Sequence, residues 1–198
     1  DLYISLEWRL ARLYQVLGQD QLSLAAYQRA VNQLELLRQD IPIDYDDGSS
    51  SFLNTFEPIY MGLIHQLLQT VDALPEKNRE EALRRARDAV ELIKQTELQD
   101  YLGDRCALDA VKGGSATVIP AGTVILHPII FSDRIELLLE TSSKLARFTT
   151  KIDAATVHQT ARKLTTQLRN KQTDDPGPAP HIYDWLPRPR EQLKAPRW

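Results

Sequence analysis

The sequence predicts an α+β chain in which N-terminal helical hairpins are followed by a small antiparallel β-meander with helices. Apolar residues recur at helical spacing from Leu2 to Leu102, then give way beyond Gly122 to β-branched apolar runs. Clusters of Gly, Pro and Asp punctuate the segments. At 198 residues, with 42% apolar and 26% charged residues, the chain has enough material for one domain or two small ones.

The first hairpin is expected between Leu2 and Gln39. Leu6, Leu10, Leu13, Tyr14 and Leu17 form one apolar series, and Leu24, Tyr27, Val31, Leu34 and Leu37 form a second. Gly18-Gln19-Asp20 breaks them. Residues 40–51 combine Pro42, Gly48 and four acids, so a long acidic loop is expected. Asp44, Asp46, Asp47 and Gly48 superficially resemble a calcium loop, but the ligand alternation and the bidentate Glu at its last position are missing.

The next helix is expected over Phe56–Val71, capped by Asn54 or Thr55, with Pro58 in its first turn. Ile59, Leu63, Leu67 and Val71 give it a buried stripe. Another helix follows Pro75 to about Leu102, with Ala82, Ala86 and Ala89 spaced for close packing. Gly103 stops it, and Cys106 to Gly122 reads as loop.

Strands are expected at Thr123–Phe131, Arg134–Glu140 and Leu145–Ile152, with Pro128 confining its strand to an edge or a bulge. Asp153 caps a helix running to Asn170, with Val157, Ala161, Leu164 and Leu168 as its apolar face and Arg162, Lys163 and Arg169 opposite. A proline-rich break over 173–180 precedes a short helix over His181–Lys194. Trp198 would be left uncovered, and the chain opens at Asp1 on an amphipathic pattern, so neighbouring sequence is expected at both ends.

Charge is unevenly spread. Residues 1–143 hold 13 Lys/Arg against 22 Asp/Glu, a net −9, and residues 144–198 hold 11 against 5, a net +6. The basic residues are dispersed and lack an aromatic recognition motif, which argues against a nucleic-acid partner. No apolar run approaches the roughly 20 residues of a membrane helix. A single cysteine, Cys106, can form neither an intrachain disulfide nor a cysteine zinc site, and a reducing, cytoplasmic setting is expected.

Few residues could carry chemistry. Cys106 follows a helix C-terminus, where the dipole disfavours a thiolate, so a small thiol enzyme built on it is rejected. His127 reads as a hydrogen-bonded strand residue, and His65, His158 and His181 lack the paired spacing of a metal site. Gly113-Gly114 has no lysine anchor or helix start to make a phosphate loop. No catalytic, metal or cofactor position is assigned.

Leu10, Ala11, Tyr14, Gly18, Ser23, Tyr27 and Ala30 fall at the offsets of a tetratricopeptide (TPR) repeat, with Ser23 in place of the usual Ala. The helix containing Ala86-Arg87-Asp88-Ala89-Val90 leads into Tyr101-Leu102-Gly103-Asp104-Arg105-Cys106. Next come the strand pair Val124 to Leu139 and the run Ile182-Tyr183-Asp184-Trp185-Leu186. This succession resembles the approach to and first part of the CHAT domain, a bacterial caspase-like cysteine peptidase domain usually placed after TPR repeats. The resemblance spans about residues 52–190. It implies a TPR-like region over 1–104 and an incomplete N-terminal portion of a CHAT domain over 105–198.

The resemblance also implies a peptidase whose His and Cys lie beyond Trp198, so no catalytic residue transfers to this chain. The expected role is sensing and docking: a protein or peptide partner bound along the helical hairpins, with Tyr3, Trp8 and Arg12 as candidate contacts. The alternative is a TPR-type adaptor or scaffold without peptidase activity in any form.

Overall fold

The computed structural model describes residues 2–37, 45–46, 49–102, 119–170, 177 and 179–185. They show an α+β chain that divides into two compact units, Asp1–Pro120 and Ala121–Trp198. The boundary expected at 104/105 falls within residues 103–118, which lie outside the described residues.

The first unit is built by consecutive helices, α1 (Leu2–Val16), α2 (Asp20–Leu37), α3 (Ser51–Val71) and α4 (Glu76–Leu102). Each packs on the next in the chain. Gly18 turns α1 into α2 at a φ of 67°, a conformation that costs glycine no side-chain clash. Small residues then let the two helices approach, for Ala11, Ser23, Ala26 and Ala30 are all fully buried. Tyr27, Val31 and Leu34 complete the inner face of α2, and α3 buries the predicted Ile59, Leu63, Leu67 and Val71 together with Tyr60, Ile64 and Leu68. Each such aliphatic chain stabilises the fold by about 1.5–3 kcal/mol. Along α4, Ala82, Ala86 and Ala89 supply the buried small residues.

Three expectations need correction. The apolar series Leu6, Leu13 and Leu17 of the first hairpin is not buried: α1 turns Ile4, Glu7 and Ala11 inward and leaves those leucines at the surface. Ala11 permits the close crossing that a leucine would block, and the Glu7 charge is neutralised by a partner on α2. The acidic loop contains a small antiparallel pair, β1 (Tyr45–Asp46) with β2 (Ser49–Ser50). Finally, α3 begins at Ser51, so Asn54 and Thr55 lie within the helix and Pro58 sits inside it, beyond the first turn. There the proline lacks the N–H that would bond the carbonyl four residues back.

The second unit carries an antiparallel sheet in the order β3 (Ile125–Ile130), β4 (Arg134–Glu140) and β5 (Leu145–Lys151). Short turns close it, with the Phe131 amide bonded to the Arg134 carbonyl at 2.9 Å and the Thr141 amide to that of Lys144 at 2.9 Å. Pro128 lies on β3, an edge strand, where its missing donor matters least. α5 (Ala154–Arg169) follows, and the Asp153 carboxylate accepts from the Thr156 amide at 2.8 Å, as a helix cap should. The short α6 (Ala179–Trp185) is tied to β5 by the Thr150 hydroxyl, which donates to the Trp185 carbonyl at 2.9 Å. The remainder of the predicted His181–Lys194 helix lies outside the described residues.

Candidate functional site

Because a helix turns about 100° per residue, the positions of α1 fall on two opposed faces. Ile4, Glu7 and Ala11 form the inner one. Arg29 of α2 grips Glu7 through two parallel hydrogen bonds, Nε to Oε1 at 3.0 Å and Nη2 to Oε2 at 2.8 Å. This fork matches a carboxylate in both geometry and charge. Hydrogen bonding from Arg29 holds the Glu7 carboxyl below its ordinary value against burial, and Tyr3 adds a further bond.

A second polar link ties the hairpin to α3. The Ser23 hydroxyl donates to the Ala11 carbonyl at 2.9 Å, and the Gln66 carbonyl oxygen lies 3.4 Å from the same hydroxyl. The amide of the fully buried Gln66 donates to Asp20 at 3.0 Å. Ser23 has one proton, so Ala11 takes the principal bond. Beside this link Gly62 meets Tyr27, whose ring occupies the space a Cβ would need. Tyr60 reaches back from α3 to Glu35 on α2.

Of the three predicted contact residues, the structure brings two together. The Arg12 guanidinium lies over the Trp8 ring, 5.5 Å from its centre, a cation–π arrangement. Tyr3 is half-exposed on the other side of the inner face, since the five positions from Tyr3 to Trp8 turn the helix by about 140°. Tyr3 and Arg12 instead flank the outward face of α1 from opposite edges.

The second unit gathers its charge on one face of the sheet. Cross-strand register places Ile125, His127 and Ile129 opposite Glu140, Leu138 and Glu136, and Glu136 and Leu138 opposite Thr149 and Arg147. Glu136 is completely buried and accepts from four donor atoms. Arg147 supplies Nε to Oε2 at 2.9 Å and Nη2 to Oε1 at 2.8 Å, Arg134 supplies Nε to Oε1 at 2.7 Å, and Thr149 its hydroxyl to Oε2 at 2.6 Å. Burial pushes the Glu136 carboxyl up, but the bonds from Arg147, Thr149 and Arg134 outweigh it and leave it below its ordinary value. Arg134 also stacks over Phe131 at 4.4 Å. Nearby, the buried His127 Nε2 lies 3.1 Å from Glu140 Oε2.

His127 is thus a hydrogen-bonded core residue on an edge strand. His65 is part-buried on α3 in the helical unit, His158 is exposed on α5 in the sheet unit, and His181 belongs to α6. Among the described residues no group of three or more His, Cys, Asp or Glu side chains is placed to hold a metal. Cys106 and the Asp44–Gly48 acidic cluster, apart from the backbone of Tyr45 and Asp46, lie outside the described residues.

No protein-family model, curated protein or solved structure matches the chain. The polar sheet face was not foreseen by sequence reasoning. Its signal was present in the period-two placement of Arg134, Glu136 and Glu140 on one strand and Arg147 and Thr149 on the next. Charges repeated on one side of an otherwise apolar strand call for partners on the neighbouring strand.

Proposed function

We propose that the chain is the sensing and docking front of a CHAT-type cysteine peptidase. Its TPR-like hairpins bind a protein or peptide partner, its sheet unit forms the leading part of the peptidase domain, and it is not itself catalytic. The observation that supports this best is the close crossing of α1 and α2 at Ala11 and Ser23, repeated in plan by α3 and α4. Stacked hairpins joined through small residues present extended surfaces suited to peptides and partner helices. Tyr3, Trp8 and Arg12 are the proposed contacts on the first helix.

Peptide hydrolysis by a thiol requires a base within hydrogen-bond reach of the nucleophile and donors for the oxyanion. In this reading a His and a Cys on strands beyond Trp198 supply the first two. The single cysteine accords with the proposed cytoplasmic setting; among the described residues no helix is long and apolar enough to cross a membrane.

Reading the coding frame past Trp198 and assaying the encoded polypeptide on denatured casein tests the proposal. The expected result is additional core strands ending in His and Cys, with cleavage abolished when that cysteine becomes alanine. A frame without such residues removes the peptidase reading and leaves the adaptor.

A further inference from the structure

The outward face of α1 has the pattern of a helix seam. Leu2, Leu6, Arg9, Leu13 and Val16 alternate by four and three positions, the spacing that keeps side chains along one stripe against a partner helix. The stripe lies open: Leu6 and Leu13 are each 53% exposed, and Leu2 and Val16 are 86% and 85% exposed. Its edges extend the pattern, with Tyr3, Leu10 and Leu17 on one side and Arg12 on the other. A helix apolar on opposed faces is built to be covered on both.

Charge decides the occupant. Arg9 stands at the centre of the stripe and makes no ion pair among the described residues, Arg12 adds a second cation at the edge, and the one carboxylate of α1, Glu7, is turned inward to Arg29. A second copy of the chain paired along this stripe with greatest overlap would set Arg9 against Arg9, and like charges in a desolvated seam disfavour association. A carboxylate at that position would instead meet two cations.

We propose that this face docks an acidic amphipathic helix of a partner protein, with leucine-like residues in the same four–three alternation and a carboxylate seated against Arg9. The inference deepens the protein-binding reading of α1 and rests on it. Tyr3 and Arg12 then act at the edges of the contact, while Arg9 selects the partner.

Two fluorescein-labelled helical peptides of about four turns, leucine at the seam positions and differing only in a central Glu or Lys, serve as probes for the 198-residue chain. In an anisotropy titration the Glu peptide binds about tenfold more tightly than the Lys peptide. Arg9→Glu reverses the preference, and Leu6→Asp with Leu13→Asp abolishes binding of both. All three positions are surface ones, and unchanged circular dichroism confirms that the variants fold.

Equal binding of the two peptides, or a preference that survives Arg9→Glu, overturns the charge selection while leaving α1 a protein-binding face. Binding of neither peptide overturns the selection and the protein-binding role of α1 together. A mass by light scattering that doubles with concentration and returns to monomer in the Leu6→Asp, Leu13→Asp variant overturns the proposal in favour of a second copy.

Discussion

A carboxylate as completely buried as Glu136 loses several kcal/mol of hydration, and it persists only where donors replace that water. Arg147, Arg134 and Thr149 do so from two strands, so the group binds β4 to β5 while forbidding a slip of register. Glu136→Gln keeps the shape but leaves two guanidinium groups facing a neutral amide whose nitrogen cannot accept. The substitution should destabilise the sheet unit by about 3 kcal/mol, read as lost amide protection along β4 and β5; a change below about 1 kcal/mol would assign the cluster no more weight than a surface pair. Gly62 is the equivalent point in the helical unit. Gly62→Ala drives a methyl into the ring of Tyr27, which is buried against α3 and must shift to admit it. The expected loss is about 1–3 kcal/mol by overpacking, and Tyr27→Leu combined with Gly62→Ala should recover part of it in urea unfolding.

At the scale of elements, legibility followed the number of faces that the fold buries. The β-meander could be read closely because its strands are short, apolar on at least one face and bounded by Ser132-Asp133 and Thr141-Ser142-Ser143, which admit little besides tight turns. The buried stripe of α3 is legible because one side is apolar and the pattern is unambiguous, whereas its start is not, because Pro58 suits a first turn yet stands within a helix that begins at Ser51. α1 misled for a different reason. Hydrophobicity alone favours the Leu6, Leu13 and Leu17 side, and only the requirement for a small residue at the crossing selects Ala11 and, with it, a glutamate. The polar cluster on the sheet shows in the sequence only as period-two charges on β4 and β5, and which of them pair depends on register. α5 was legible down to its cap, yet its apolar face is only partly used: Val157 is buried while Leu168 stays 71% exposed. Its first turn therefore depends on Asp153, which holds both the amide and the hydroxyl of Thr156. Asp153→Ala should speed hydrogen exchange at the Thr156 amide and fray that turn, with Asp153→Ser restoring protection. Unaltered exchange in the alanine variant would show that tertiary packing, rather than the cap, starts the helix.

For the molecule as a whole, the two units share one electrostatic device and should share its response to acid. Glu7 in the helical unit and Glu136 in the sheet unit both have carboxyl groups held below their ordinary values, the first chiefly by hydrogen bonding from Arg29, the second against its own burial by Arg147, Thr149 and Arg134. A glutamate in the unfolded chain takes up its proton near pH 4.3, earlier in an acid titration than either folded group. Between those points the unfolded state binds more protons than the folded one, so stability rises with pH there. The contribution is complete above the unfolded value and disappears as pH falls through the folded one. Both units should thus lose stability on acidification from about pH 6 to about pH 3.5, followed by urea unfolding with amide probes in α2 and in β4. Screening distinguishes this loss from that of surface pairs such as Glu80 with Arg84, because added salt weakens exposed charges far more than buried ones. Glu136→Gln supplies the decisive comparison, since glutamine does not titrate. In that variant the β4 probes should lose much of their acid dependence while the α2 probes keep theirs, and an unchanged slope at β4 would place the acid sensitivity of the sheet on other carboxylates.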